Sequence, residues 1–328
     1  MTEMGLSANS NGSGQTEHVK MLIIGSGPAG FSAALYAARA QLEPVVLTGQ
    51  DLGGQVSITH IVENYPGFPD GVGGPELTQL FQKQAERFGA KVVFDTATEA
   101  DFSQRPYRVK TYSGEYLADT VVISTGASPR KLEVPGEVEY TGKGVSYCGT
   151  CDGFFFKDKD VVVVGGGDSA MEEGVFLTRF ANKVTVIHRR DELRASAILE
   201  KRAKSNDKVD FIWDTVVDSI ESNGDGTVDV VKLKNVKSGE QSDFATDGVF
   251  IFIGHIPNTY LFEDQLEMDD DGYLIVNPHM ETNVPGVYAA GEVADPHFRQ
   301  VITSAGMGAA AAIQATRFLE AEEDAELS

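Results

Sequence analysis

Two stretches of the chain carry the same succession of apolar and polar positions. HVKMLIIGSGPAGFSAALYAARA opens on a run from Val19 to Ile24 in which only Lys20 is polar, turns through glycines, and continues Ala-rich. A short apolar run bounded by a turn predicts a strand buried on both faces, and the small-residue stretch after it predicts a helix. DKDVVVVGGGDSAMEEGVFLTRF repeats the succession much later, with Gly25 and Gly165 opening turns that lie 165 − 25 = 140 residues apart. EPVVLTG and NKVTVIHRR supply the second strands. Each stretch therefore begins a β–α–β unit, and the chain carries a duplicated nucleotide-binding unit.

Alternating stretches follow each unit. RPYRVKTYSGEYLADTVVISTGASP predicts hairpin strands and then a strand ending in Thr-Gly, and DSIESNGDGTVDVVKLKNVKSGEQSDFATDGVFIFIG predicts a meander with polar glycine turns. The segments near 126–131 and 254–258 look like two crossing links. The fold class expected is α/β: two Rossmann-like three-layer nucleotide-binding domains, the second inserted in the first. The boundaries expected are a disordered polar lead over 1–17, a discontinuous first domain over 18–128 and 256–320, a second domain over 129–255, and a frayed acidic tail over 321–328.

Composition narrows the partners. Asp+Glu 49 against Lys+Arg 27 gives a net charge of −22. Such a surface repels nucleic-acid backbones and anionic membranes, so neither is expected. The charge reads either as ordinary acidic solubility or as adaptation to a salt-rich cytoplasm, where counterions screen the repulsion. No apolar run approaches the roughly 20 residues that cross a bilayer. The start, MTEMGLSANSNGSGQTEH, lacks the basic and apolar regions of a signal peptide, so a cytoplasmic location is expected.

In GSGPAG, Gly25 allows the tight turn, Gly27 lets backbone approach a pyrophosphate, and Gly30 lets helix pack on strand. The helix start then offers free N–H groups to the phosphates. Taken alone the pattern also closes ordinary α/β loops. In GGGDSA the same positions are Gly165, Gly167 and Ala170. His188, Arg189 and Arg190 follow at the end of the second strand, with Arg194 beyond; on a helical turn Arg190 and Arg194 would share a face. An acid here would suit the 2′-hydroxyl of NAD, whereas guanidinium forks suit the 2′-phosphate of NADP. A solvated basic face is the plain alternative, harder to maintain in so acidic a chain. The second unit reads as an NADPH site. The first strand end, LTGQDLGGQ, has no acid at its terminus, which leaves its ligand open.

Both cysteines of the chain, Cys148 and Cys151, lie in VSYCGTCDGFFF. A structural disulfide across so short a loop constrains the unfolded chain little and would stand in a reducing compartment. Zinc needs about four ligands, and with no second Cys pair and six scattered histidines no metal is expected. A dithiol redox site remains. NADPH donates a hydride, which a disulfide does not readily accept directly; a flavin bridges the two, so FAD is expected on the first glycine turn.

At this point the sequence resembles the low-molecular-weight thioredoxin reductases from about His18 to Leu319. The resemblance rests on GSGPAG, GGQ at 53–55, ENYPGF at 63–68, STGA at 124–127, CGTCDG at 148–153, GGGDSA, HRRDELRA, IGHIPNT at 253–259 and RQVITSAGMG at 299–308. It implies an NADPH-dependent thioredoxin-disulfide reductase with thioredoxin as partner, built as a homodimer. Cys151 would face the flavin, Cys148 would be the interchange thiol, and Asp152 would protonate the outgoing thiolate, with His255 as the second candidate acid. A helix N-cap is the plain reading of Asp152. The FAD contacts implied are Gly25, Ser26, Gly27, Pro28, Ala29, Gly30, Thr48, Gly49, Gly54, Gln55, Asn64, Thr125, Gly126, Gly291, Glu292, Arg299, Gln300 and Val301. Those implied for NADPH are Gly165, Gly166, Gly167, Asp168, Ser169, Ala170, His188, Arg189, Arg190, Arg194, Ile253 and Gly254. The family's late motif reads Gly-Asp where this chain has Gly291-Glu292, and Asp295 stands near enough to compensate. The rival readings are a ferredoxin/flavodoxin-type reductase of the same fold, which lacks the Cys pair, and a flavin/NADPH-binding redox sensor. The hydroperoxide-reductase branch carries an extra N-terminal domain for which about 18 polar residues are too few.

Overall fold

The computed structural model describes residues 15–59, 61–222, 224 and 226–327. Most of the lead expected over 1–17 therefore lies outside the described residues, and 15–17 already belong to the first strand.

The chain divides into two compact units. The first comprises Met1–Ser57, Gly74–Ala127 and Pro257–Ser328, and the second Ile58–Gly73 and Ser128–Ile256. Residues 58–73, assigned to the first domain in the sequence reading, group with the second unit.

In chain order the first unit runs β1 (Gln15–Ile24), α1 (Pro28–Arg39), β2 (Val45–Leu47), α2 (Gly74–Arg87), β3 (Lys91–Val93), β4 (Ala97–Asp101), β5 (Tyr107–Thr111) and β6 (Gly114–Ile123). The link strand β7 (Ala127–Pro129) leads out of it. The second unit runs β8 (Val145–Ser146), α3 (Gly149–Asp152), β9 (Asp160–Val164), α4 (Asp168–Leu177), β10 (Lys183–Ile187), α5 (Ala197–Lys204), β11 (Val209–Ile212), β12 (Thr215–Glu221), β13 (Val230–Asn235), β14 (Gln241–Ala245) and β15 (Gly248–Ile251). The link β16 (His255–Pro257) pairs with β7, and the first unit closes with β17 (Val287–Ala289) and α6 (Val301–Leu327). The acidic stretch after residue 320 continues α6 up to Leu327, where the sequence reading expects a frayed end.

The first sheet is ordered β3-β2-β1-β6-β5-β4, with β17 also on β6. Strand β6 does double duty: its first half forms the antiparallel hairpin with β5, and its second half pairs parallel with β17. Alternation explains why β1 is apolar almost throughout. Met21 and Ile23 point to a core shared with the alanines of α1 and α6, whereas Leu22 and Ile24 point to the opposite core with Tyr107, Val109 and Phe262. Alanines and glycines let the helices approach closely; a Cβ on Gly308 of α6 would lie 2.0 Å from the carbonyl oxygen of Ala29 in α1.

The second sheet is parallel throughout, ordered β11-β10-β9-β15-β8, and the meander β12-β13-β14 forms its own sheet. Val161, Val163, Val184 and Val186 pack toward Met171 and Leu177 of α4. Val162, Val164, Val249 and Ile251 pack toward Val217, Val231 and Leu233 of the meander. Each unit is thus three layers deep, and in each the parallel strands share an edge at their carboxyl ends, the place where α/β sheets of this kind bind ligands.

Candidate active site

Each glycine turn has the geometry its spacing predicts. Gly25, at φ +113°, has no room for a side chain: a Cβ would stand 2.3 Å from the carbonyl oxygen of Ser124. A Cβ on Gly30 would stand 2.0 Å from the Gly25 carbonyl oxygen, so α1 sits directly on its own turn. Gly27 is the opposite case, since a Cβ there would meet nothing within 4 Å. It is the N-cap of α1 and, lacking a side chain, caps none of the first N–H groups of the helix. In the second unit Gly165 is closed by the Phe252 carbonyl oxygen at 2.4 Å and by Ala170, while Gly167 is open and caps α4 without a side chain. Both turns therefore form open cradles at helix N-termini, a feature that suits a phosphate.

Around the first cradle stand residues at the carboxyl ends of β1, β2, β6 and β17. Ser26 is buried, donates to the Thr48 carbonyl and accepts from the Gly53 N–H, so its hydroxyl fastens the turn to the loop holding Gly54 and Gln55. Thr48 bonds the carbonyl of Gly49, and Thr125 bonds that of Asn258 beside Gly126. Gly291 packs against Ala29 and Ser304, next to Pro28 and to Val301 at the start of α6. Gln300 bonds the Phe298 and Arg299 carbonyls. Asn64 is exposed and lies in the segment that groups with the second unit.

Glu292 is half-buried beside Arg299 and Asp295. Burial, with a smaller contribution from Asp295, pushes its carboxyl up to about 7, against the pull of Arg299. Asp295 caps the following loop through the N–H groups of His297 and Phe298. Its other oxygen, and Nε of Arg299, are buried with no hydrogen-bond partner among the described residues.

In the second unit His188, Arg189 and Arg190 follow β10, and Asp168 and Ser169 are exposed at the start of α4. Arg190 and Arg194 do not share a helical face. Buried Leu193 draws the chain into the core and the Arg194 N–H donates to the Gly166 carbonyl, so residues 189–196 form bends and α5 starts only at Ala197. The three guanidinium groups are nevertheless exposed, and none makes an ion pair among the described residues. The nearby acids Asp191 and Asp214 are both held by Lys237, at 2.8 and 3.0 Å. His188 is buried with Nε2 unpartnered among the described residues; burial, then the neighbouring arginines, hold it neutral by lowering its proton affinity. Ile253 and Gly254 lie at the carboxyl end of β15, on the same sheet edge.

That edge also carries the cysteines. Cys148 follows β8, which runs parallel to β15, and forms a disulfide with Cys151 at a Cα–Cα distance of 5.3 Å. Cys148 caps α3: its Sγ accepts the Cys151 N–H at 3.2 Å. Once reduced, that N–H favours the Cys148 thiolate. Asp152 itself occupies the N-cap position of the short 3-10 helix Gly153–Phe156, but its side chain makes no cap hydrogen bond there. Asp152 stands at the end of α3, and its carboxyl is pushed up by burial while the Ser146 hydroxyl, at 2.6 Å, holds it down. His255 lies in the link β16. Ser146 is the site residue that sequence reasoning missed; its only signal was its place two residues before Cys148. Among the described residues no group of His, Cys, Asp or Glu is arranged to hold a metal, and no helix is long and apolar enough to cross a membrane.

Residues 19–309 match the model of the pyridine nucleotide-disulphide oxidoreductases. The chain belongs to that family. Within it, this oxidoreductase is similar to the thioredoxin reductase of Streptomyces coelicolor, 50% identical over 93% of this chain and 95% of the relative. It is likewise similar to that of Rickettsia bellii, at 52% over 92% and 98%. The crystal structure of thioredoxin reductase from Streptococcus pyogenes superposes with a TM-score of 0.88 at 46% identity, covering 93% of this chain and 99% of the other.

Proposed function

We propose that this protein is a thioredoxin-disulfide reductase that draws electrons from NADPH through FAD and the Cys148–Cys151 disulfide. The observation that carries the reading is the disulfide itself. It stands on the same carboxyl sheet edge as an open phosphate cradle and three unpaired arginines, next to a half-buried carboxyl.

The residues of the first unit fit FAD. The open space over Gly27 suits a pyrophosphate, and the unpartnered polar atoms of Asp295 and Arg299 suit the hydroxyl- and carbonyl-bearing remainder of the cofactor. When bound, the flavin takes up a hydride and passes electrons on singly or in pairs, which is the conversion a dithiol site needs. Gly291 and Glu292, with Arg299, Gln300 and the N-terminus of α6, would orient it.

In the second unit Gly167 would hold the coenzyme's pyrophosphate, and Arg189, Arg190 and Arg194 its 2′-phosphate. Cys151 would receive electrons from the flavin side. Cys148, with the helix N–H on its sulfur, would attack the thioredoxin disulfide, and Asp152 would supply the proton to the thiolate released. Burial suits Asp152 to that role, because an acid must hold its proton near neutral pH in order to give it up. The protein would act as a cytoplasmic homodimer.

The test is oxidation of NADPH by the FAD-loaded protein with oxidised thioredoxin as acceptor. Turnover that disappears when either cysteine is replaced by serine supports the proposal. NADPH oxidation without thioredoxin reduction would favour a sensor whose thiols signal to a partner.

A further inference from the structure

Ser146 is buried at the end of β8, and one hydroxyl group serves both partners of the exchange chemistry. Its Oγ accepts the Cys148 N–H at 3.1 Å and lies 2.6 Å from Oδ2 of Asp152. The Cys148 carbonyl is farther away, at 3.2 Å, and the hydroxyl has a single proton, which goes to the shorter, charge-assisted bond. The Cys148 carbonyl in turn accepts the Asp152 N–H at 3.2 Å. Thiol backbone, hydroxyl and carboxyl therefore form one closed ring of hydrogen bonds.

We propose that Ser146 is a positioning residue for the disulfide exchange: it holds the Asp152 carboxyl in register with Cys148 and steadies the carboxylate that remains after the proton has left. The proposal rests on the reading of Cys148 as the exchange thiol and Asp152 as the acid.

In the reduced protein the proton lost from Cys148 resides on Asp152. The Cys148 thiolate attacks one sulfur of the substrate disulfide; a new S–S bond forms, the old one breaks, and the departing thiolate takes the proton from Asp152. The carboxylate left behind is stabilised by the Ser146 O–H. Cys151 then attacks Sγ of Cys148, the Cys148–Cys151 disulfide re-forms, and the proton of Cys151 goes to the second substrate thiol. The dithiol loses two electrons and the substrate gains two.

The other ionisable groups around α3 leave this pairing intact. Glu173 of α4 packs against Gly149, where a Cβ would lie 2.4 Å from its Oε2. Glu137 is taken up by Tyr147, whose hydroxyl donates to it at 2.9 Å, and by the N–H groups of Leu132 and Glu133. Burial and Ser146 act on Asp152 in opposite directions, so removal of the hydroxyl leaves burial unopposed and the carboxyl holds its proton more tightly.

The experiment compares wild type, Ser146→Ala, Asp152→Asn and the double variant, all FAD-loaded, in the pH dependence of kcat/KM for thioredoxin. Ser146→Ala should lower kcat/KM about tenfold at neutral pH and move the upper limb of the profile upward by about one pH unit, the scale of one hydrogen bond to a charged group. In the Asp152→Asn background it should have no further effect. A uniform loss with an unmoved profile, or an equal loss with and without Asp152, would overturn the proposal. A second arm needs no thioredoxin: the rate of Cys148 alkylation by iodoacetamide in the reduced protein, followed against pH. An inflection that shifts in Ser146→Ala, and that the same substitution no longer moves once Asp152 is Asn, supports the ring even if thioredoxin is not the substrate; curves that coincide contradict it.

Discussion

Gly166 and the imidazole of His188 share one space: a Cβ built on Gly166 would stand 2.3 Å from Cε1 and Nδ1 of the ring. The second glycine turn therefore holds the end of β10 against it through the absence of a side chain. Gly166→Ala must push the buried ring outward and carry the Arg189–Arg190 segment with it. The expected result is a KM for NADPH raised by on the order of tenfold, the loss of about one good contact, with flavin content unchanged. An unaltered KM would show that the ring has no part in holding the coenzyme.

The unpaired arginines give the sharpest specificity test. If Arg189 and Arg190 hold a 2′-phosphate, replacing both by alanine removes charge-assisted bonds each worth about 1.5–3 kcal/mol, so KM for NADPH should rise at least tenfold. NADH has no such phosphate, and its KM should hardly change. Equal losses for both coenzymes, measured by steady-state kinetics, would contradict the assignment.

Glu292 makes a pH-dependent prediction. Its folded value of about 7 lies above the ordinary 4.5 because burial penalises the ionised form. A raised carboxyl contributes stability that is fully present below 4.5 and is lost as pH rises through the folded value, on the order of 3 kcal/mol in all. Glu292→Gln stays neutral and keeps that contribution. In flavin-free protein, urea unfolding should show the variant gaining on wild type between pH 5 and pH 8. Parallel stability curves would mean that the carboxyl is better solvated than its surroundings suggest.

Much of this was legible in the sequence because glycine turns and buried parallel strands leave strong local signatures. The runs after His18 and Lys159 are apolar at odd and even positions alike, and both faces of β1 and β9 are indeed covered. What escaped was decided by packing. Arg190 and Arg194 have helical spacing, but burial of Leu193 bends the chain before a helix can form. The acidic C-terminal stretch looks frayed by charge alone, yet it continues a helix already nucleated over the Ala-rich part of α6. Ser146 had no signal beyond its place before Cys148, since a serine in a strand acquires meaning only from the carboxyl that folds back onto it.

The excess of negative charge predicts a response to salt. With a net charge of −22, counterions should relieve self-repulsion in the compact state, so both melting temperature and activity should rise from low to molar KCl. A melting temperature flat across that range would favour ordinary acidic solubility.

The most direct test of the central claim is which cysteine captures thioredoxin. Cys151→Ser leaves Cys148 to attack and removes the thiol that resolves the product, so reduced Cys151→Ser mixed with oxidised thioredoxin and quenched in acid should yield a covalent one-to-one complex. The complex should release both proteins on reduction, and Cys148→Ser should form none. Capture by Cys148→Ser instead, or by neither variant, would contradict the division of roles between the two thiols.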